Sequence, residues 1–245
     1  MGVRCHATVL AAALVWVSAS SAQTPRAETS FTIFFRQAPI GSEQVTMIRR
    51  PDGFVISATG RFGPPLNFIA RRMEMRYDAA WRPQELIIDA SQSDTPTSLH
   101  TTFAGPAATS STLVAGLTSR DTDQVSLDTV VLHTSFFGTY EALAVRLANM
   151  QVGGTVPVYM APQSEIPARL DSVSTERVQT AKRIVEARRY RLTLLSPGSA
   201  ITAELWAEGD THRLLRLAST IRFAVCTRSV ETESSRAGIS DCGAM

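Results

Sequence analysis

"HTSFFGTYEALAVRLANM", residues His133 to Met150, is the stretch on which the architecture turns. Phe136, Tyr140, Leu143, Leu147 and Met150 recur at steps of four, three, four and three, which places them on one stripe of an α-helix with Ala144 beside it. Thr139, Ala142, Arg146 and Asn149 take the other side. The spacing predicts a helix over about 135–150. Ser135 is one available cap; Gly138, with Glu141 at the third helical position, is the other. Either way Glu141 falls in the first turn, where the helix dipole favours a carboxylate. Gly153 and Gly154 stop the helix.

Everything around this stretch has period two. Phe31, Ile33 and Phe35 share one face of "FTIFFR", and Met73, Met75 and Tyr77 share one face of "IARRMEMRY", with Arg72, Glu74 and Arg76 opposite. "RRPDGF" and "DAAWRP" read as turns between strands, and after the helix "TVPVYM", "RIVEARRYRLTLLS", "AITAELWAE" and "IRFAVCTR" resume the alternation. The spacings are those of an antiparallel meander. Arginine doublets at Arg49–Arg50, Arg71–Arg72 and Arg188–Arg189 are expected to split across the sheet, because neighbouring strand residues point to opposite faces.

Five apolar side chains on one helical stripe need a cover, and the large apolar surface available is one face of the sheet. The expected fold is mainly β: one large curled antiparallel sheet, a half-barrel, with a single amphipathic helix packed on its concave face. Where that interface is hollow, the candidate ligand pocket is lined by Phe136, Tyr140, Leu143, Leu147, Met73 and Met75.

The pieces "PIGSEQVTMIRRPDGFVISATG" and "SFFGTYEALAVRL" resemble a group of exported bacterial proteins without an assigned activity, and the arrangement is similar to the lipoprotein-carrier type of fold. The resemblance covers roughly Phe31 to Ser219. It implies export and a curled sheet, and it carries over no catalytic residue.

The start of the chain agrees with export. Arg4 and His6 precede the apolar run Ala7 to Val17, and Ser20 and Ala22 stand where a cleavage site after Ala22 needs small residues. Eleven helical residues span roughly 17 Å, short of a hydrocarbon core of about 30 Å. Residues 1–22 are therefore expected to be a signal peptide, 23–28 a polar leader, 29–228 one domain and 229–245 a mobile polar tail. The mature chain is expected in the periplasm or outside the cell, with no transmembrane segment.

Of the 245 residues, 24 are basic and 22 acidic, and cleavage removes one arginine and no acid. So balanced a charge points away from nucleic acid. Cys226 and Cys242, the cysteines left after cleavage, are candidates for a disulfide in an oxidising compartment.

After cleavage, none of the three remaining histidines, His100, His133 and His212, lies within five residues of another histidine or a cysteine, and "DTDQ", Asp121 to Gln124, reads as a polar turn rather than a calcium loop, so no metal or cofactor is expected. His133 and Glu141 are weak acid–base candidates at the helix start. The functional expectation is a non-catalytic binder or carrier of an apolar small molecule or lipid. The alternatives are a structural or partner-binding envelope module, and a hydrolase with its site near the helix start.

Overall fold

The computed structural model describes residues 26–180, 183–219 and 223–227. The first half is an unbroken antiparallel meander: β1 (Arg26–Phe35), β2 (Ala38–Arg50), β3 (Gly53–Phe62), β4 (Phe68–Asp78), β5 (Pro83–Gln92), β6 (Thr95–Ala104), β7 (Ala107–Val114) and β8 (Leu117–Gln124). After β9 (Val130–Leu132), the helix α1 (Tyr140–Leu147) leads to β10 (Thr155–Met160). A second meander runs through β11 (Ser164–Gln179), β12 (Ile184–Ser196), β13 (Ser199–Glu208), β14 (Leu214–Ser219) and β15 (Phe223–Thr227). Because β15 returns onto β1, all fifteen strands form one sheet in the order β8 down to β1, then β15 down to β9.

The two edge strands force the curl. Fifteen strands laid flat at about 4.8 Å spacing would hold β8 and β9 some 67 Å apart. Yet only six peptide steps separate Gln124 from Val130, a reach of at most about 22 Å. The edges must therefore meet, and side chains fasten them. Ser126 donates from its N–H and its hydroxyl to the Glu165 carboxylate at 2.7 and 2.8 Å, and the Tyr159 hydroxyl donates to Asp123 at 2.6 Å.

Among the described residues only β9 and β10 pair in parallel, and a parallel pair needs a crossover, which α1 supplies. The sequence Val130-Val131-Leu132 is buried at every residue, as a parallel strand covered on both faces should be.

The concave face carries the core. Phe31, Ile33, Ile56, Met73, Met75, Leu86, Leu192 and Leu205 are fully buried and belong to one cluster with Phe136, Leu143 and Leu147. The expected half-barrel with one internal helix is what the chain forms. Among the described residues, no helix is long and apolar enough to cross a membrane.

Several expectations need correction. The helix is shorter than 135–150: a bridge joins His133 to Phe136, a single 3-10 turn covers Phe137–Thr139, and α1 spans eight residues. It is also surrounded rather than one-sided, since Thr139 and Ala142 are as deeply buried as Leu143, while Tyr140 on the apolar stripe is only partly buried. Small side chains on the supposed polar face let sheet approach from that side too. Part of the supposed leader is strand: Arg26, Ala27 and Glu28 pair with Ile48, Met47 and Thr46. Asp121 to Gln124 is the end of β8, not a turn. The doublet Arg71–Arg72 does not split, because a bulge in β4 interrupts the alternation there. The signal peptide, the polar tail and Cys242 lie outside the described residues, as does the side chain of Cys226.

Candidate functional site

The alternation of β2 sets Glu43, Val45 and Met47 on the inner face, opposite Gly60, Ala58 and Ile56 of β3. A carboxylate thus enters the apolar interior, where it has no exposed surface. Its two oxygens accept the backbone N–H groups of Phe137 at 3.0 Å and Gly138 at 2.8 Å. Those are orphan donors at the start of a helical segment, and no side chain of the segment caps them. Neither Ser135 nor Gly138 acts as the expected cap; the cap comes from a strand almost a hundred residues earlier. Gly138 makes that approach possible: a Cβ there would stand 2.9 Å from Val45 and 2.8 Å from the Phe136 ring.

The other end is held by arginines. Arg188, on the inner face of β12, donates to the Ala148 carbonyl at 2.8 Å. Arg146 donates to the carbonyls of Trp81 and Asp128, both at 3.1 Å. In the middle, Glu141 turns away from solvent and accepts the Leu214 N–H at 2.8 Å. A carboxyl acceptor at the N-terminus and a cation at the C-terminus suit the helix dipole, and here both come from the sheet.

Burial dominates the titration of these groups. It lifts Glu43 to about 8, although the N–H groups of Gly138 and Phe137 pull the other way. It lifts Glu141 to about 7 against the Leu214 N–H and the charge of Arg213. His133 is pushed down to about 4 by burial, and Tyr140 up to about 12. The His133 Nδ1 accepts the Ser135 N–H at 3.2 Å, which leaves the neutral imidazole's proton on Nε2. Among the described residues no hydrogen bond joins His133 to Glu141. His133 Nδ1 and Glu141 Oε2 each accept a backbone N–H instead.

Of the six pocket candidates, Phe136, Leu143, Leu147, Met73 and Met75 have 0% of their surface accessible, so none of them borders solvent or a water-sized void. Tyr140 alone is partly exposed. The helix packs chiefly against β9, β13 and β14, and the 3-10 turn against β2, β3 and β9. Met73 and Met75 share the core with these residues from β4. Glu43 was not singled out from sequence, and Arg188 only as half of a doublet expected to split across the sheet, which it does. The available signal was parity: each stands on a period-two row whose other members are large and apolar, Val45 and Met47 for one, Tyr190 and Leu192 for the other.

No family model matches the sequence, and no curated protein does. Among solved structures, the chain is similar to the crystal structure of a DUF1089 family protein from Pseudomonas aeruginosa, at 13% identity over 83% of this chain and 95% of that one, with a TM-score of 0.37. A likeness at that level adds nothing to the topology described above.

Proposed function

We propose that the protein is an exported, non-catalytic binder of an apolar ligand, seated between the concave face of the sheet and the internal helix. One observation carries this reading. An apolar concave face running through both meanders is closed by one short segment of the chain, whose ends are fastened by side-chain hydrogen bonds to backbone groups. Since five of the six candidate lining residues have no accessible surface, a ligand enters by displacing the segment from Phe137 to Leu147 rather than by filling a void. Displacement breaks a handful of polar contacts and exposes Leu143 and Leu147. An apolar ligand replaces the lost contacts, whereas water does not. Export follows from cleavage after Ala22, and intact mass of the mature protein should begin at Gln23.

The test is mass spectrometry of organic extracts from protein purified out of its native exporter. A recurrent lipid or other apolar passenger is expected. Its repeated absence would overturn the reading in favour of a partner-binding envelope module. That second reading has its own observation: Val114 and Leu117, 46% and 78% exposed, flank the turn between β7 and β8 with Leu113 beside them.

A further inference from the structure

Two consecutive arginines on a strand should face opposite ways, and Arg71–Arg72 do not. Ala58 pairs with Met73 and Gly60 with Ala70, so the single residue Thr59 on β3 stands against both Arg71 and Arg72 on β4. On the other side Ala70 pairs with Ala90 and Arg72 with Asp89, leaving Arg71 as the extra residue there as well. Such a bulge re-aims side chains. Here it delivers both guanidinium groups into one groove of about 210 Å³ on the outer face of β2, β3 and β4. The rest of the polar lining is Gln44, Thr46, Ser57 and Thr59; no carboxylate takes part.

The carboxylates lie behind the arginines and hold them. Arg71 donates from Nε and Nη2 to Asp89 and from Nη2 to the Ala90 carbonyl, while Arg72 donates from Nη2 to Glu74. A guanidinium has five N–H donors. Arg71 therefore keeps Nη1, and Arg72 keeps Nη1 and Nε, for a ligand. Both ion pairs are well exposed on the arginine side, 54% and 51%, so little stability is lost when the forks adjust. The lining is rich in donors, with two guanidinium groups, each paired to a carboxylate outside the groove, and three hydroxyls. Its volume is below the roughly 300–1,000 Å³ of sites for drug-sized molecules, which limits the occupant to a few heavy atoms.

We propose that this groove binds a small hydroxylated oxyanion, a phosphate ester or carboxylate on a short polyol, with the anion on Arg71 and Arg72 and the hydroxyls on Thr46, Ser57, Thr59 and Gln44. The site lies on the face away from the helix, so it stands or falls independently of the apolar-ligand reading. Planar forks select phosphate or carboxylate oxygens by paired hydrogen bonds, and the side-chain hydroxyls serve as both donors and acceptors for the polyol.

Calorimetric titration at low ionic strength with glycerol 3-phosphate, inorganic phosphate and glycerol tests it, using the full mature chain. Vesicles of phosphatidylglycerol, against phosphatidylcholine, show whether the same chemistry is taken from a lipid headgroup. Glycerol 3-phosphate should bind more tightly than phosphate, and glycerol not measurably. Arg71→Gln and Arg72→Gln should each weaken binding about tenfold, the loss expected for a charge-assisted hydrogen bond. Arg120→Gln, on the distant edge strand, should change nothing, and unchanged circular dichroism will show that the variants fold. Headgroup capture that the double variant loses also supports the site. The proposal is overturned by glycerol 3-phosphate affinity that survives the double variant, by inorganic phosphate binding equally well, or by no binding in either arm up to about 10 mM.

Discussion

Glu43 and Glu204 are both glutamates in mid-strand, and the sheet gives them opposite chemistries. Glu204 lies on the outer face between Arg189 and Arg191, at 2.7 and 2.8 Å. Partial burial works to raise its pKa, but the two guanidiniums outweigh that and hold it below the ordinary value. Glu74, between Arg72 and Arg76, behaves the same way. Glu43 faces inward with only backbone N–H groups for company, and burial wins. Outside, then, carboxylates orient arginines; inside, they fasten a helix. The difference lies in which face of the pleat a residue occupies, not in its type.

The sharpest way to break this comparison is Glu43→Ala. It strips the acceptor from two buried N–H groups, each worth about 1–3 kcal/mol when orphaned, so urea unfolding should show a loss of about 2–5 kcal/mol. A loss below about 1 kcal/mol would mean that the inner carboxylate fastens nothing.

Next in size is the dependence on pH. Above the ordinary value of 4.5, the unfolded chain has released protons that the folded chain still holds at Glu43 and Glu141. Stability should therefore fall as pH rises, approaching about 1.4 kcal/mol per pH unit for each group, until the folded values of about 8 and about 7 are passed. His133 acts the other way: its contribution is complete above 6.5 and is lost as pH drops towards about 4. The outer Glu74 and Glu204 contribute above the ordinary carboxylate value and lose that contribution as pH falls through their lowered folded values. The window from about pH 6.5 to 8 thus isolates the inner carboxyls. Glu43→Gln combined with Glu141→Gln should flatten the profile there. A wild-type profile that is already flat in that window contradicts the raised values.

Gly138→Ala probes the same contact from the helix side. The new methyl group must push Val45 or the Phe136 ring aside, at a cost of about 1–3 kcal/mol in thermal or chemical unfolding. The smallest effect belongs to the outer face. Glu204→Gln should change stability by less than about 1 kcal/mol, because Arg191 is half exposed, Arg189 keeps its pair with Glu176, and the amide still accepts a hydrogen bond. A larger loss would erase the distinction between the two faces.

Much of this protein was legible from local pattern. Period two in "IARRMEMRY" identified β4 and its inner row of Met73, Met75 and Tyr77, and the apolar stripe of "YEALAVRL" located α1. Apolar periodicity reports which side of an element meets the core, and that is a property of neighbours in sequence. Glu141 was legible only by position: its place in the first turn suggested a dipole contact, while the fold also buries it against the Leu214 N–H. The bulge that unites Arg71 and Arg72 was not read from the sequence: the inward residues are Phe68 and Ala70 before it and Met73, Met75 and Tyr77 after it, a change of parity that a single alternation over "IARRMEMRY" passes over.

The sequence by itself determined a curled antiparallel sheet with one internal helix, because strand and helix periods and turn residues are local and need no partner to be read. Only the tertiary structure decided that Glu43 caps that helix from β2, that Arg188 closes its other end from β12, and that the sheet's edges meet at Ser126 and Glu165. Those contacts join residues some forty to ninety-five positions apart. Their charge and hydrogen-bonding capacity are visible in the chain, but burial, which converts a surface glutamate into a buried cap, exists only once the distant strands have closed around it.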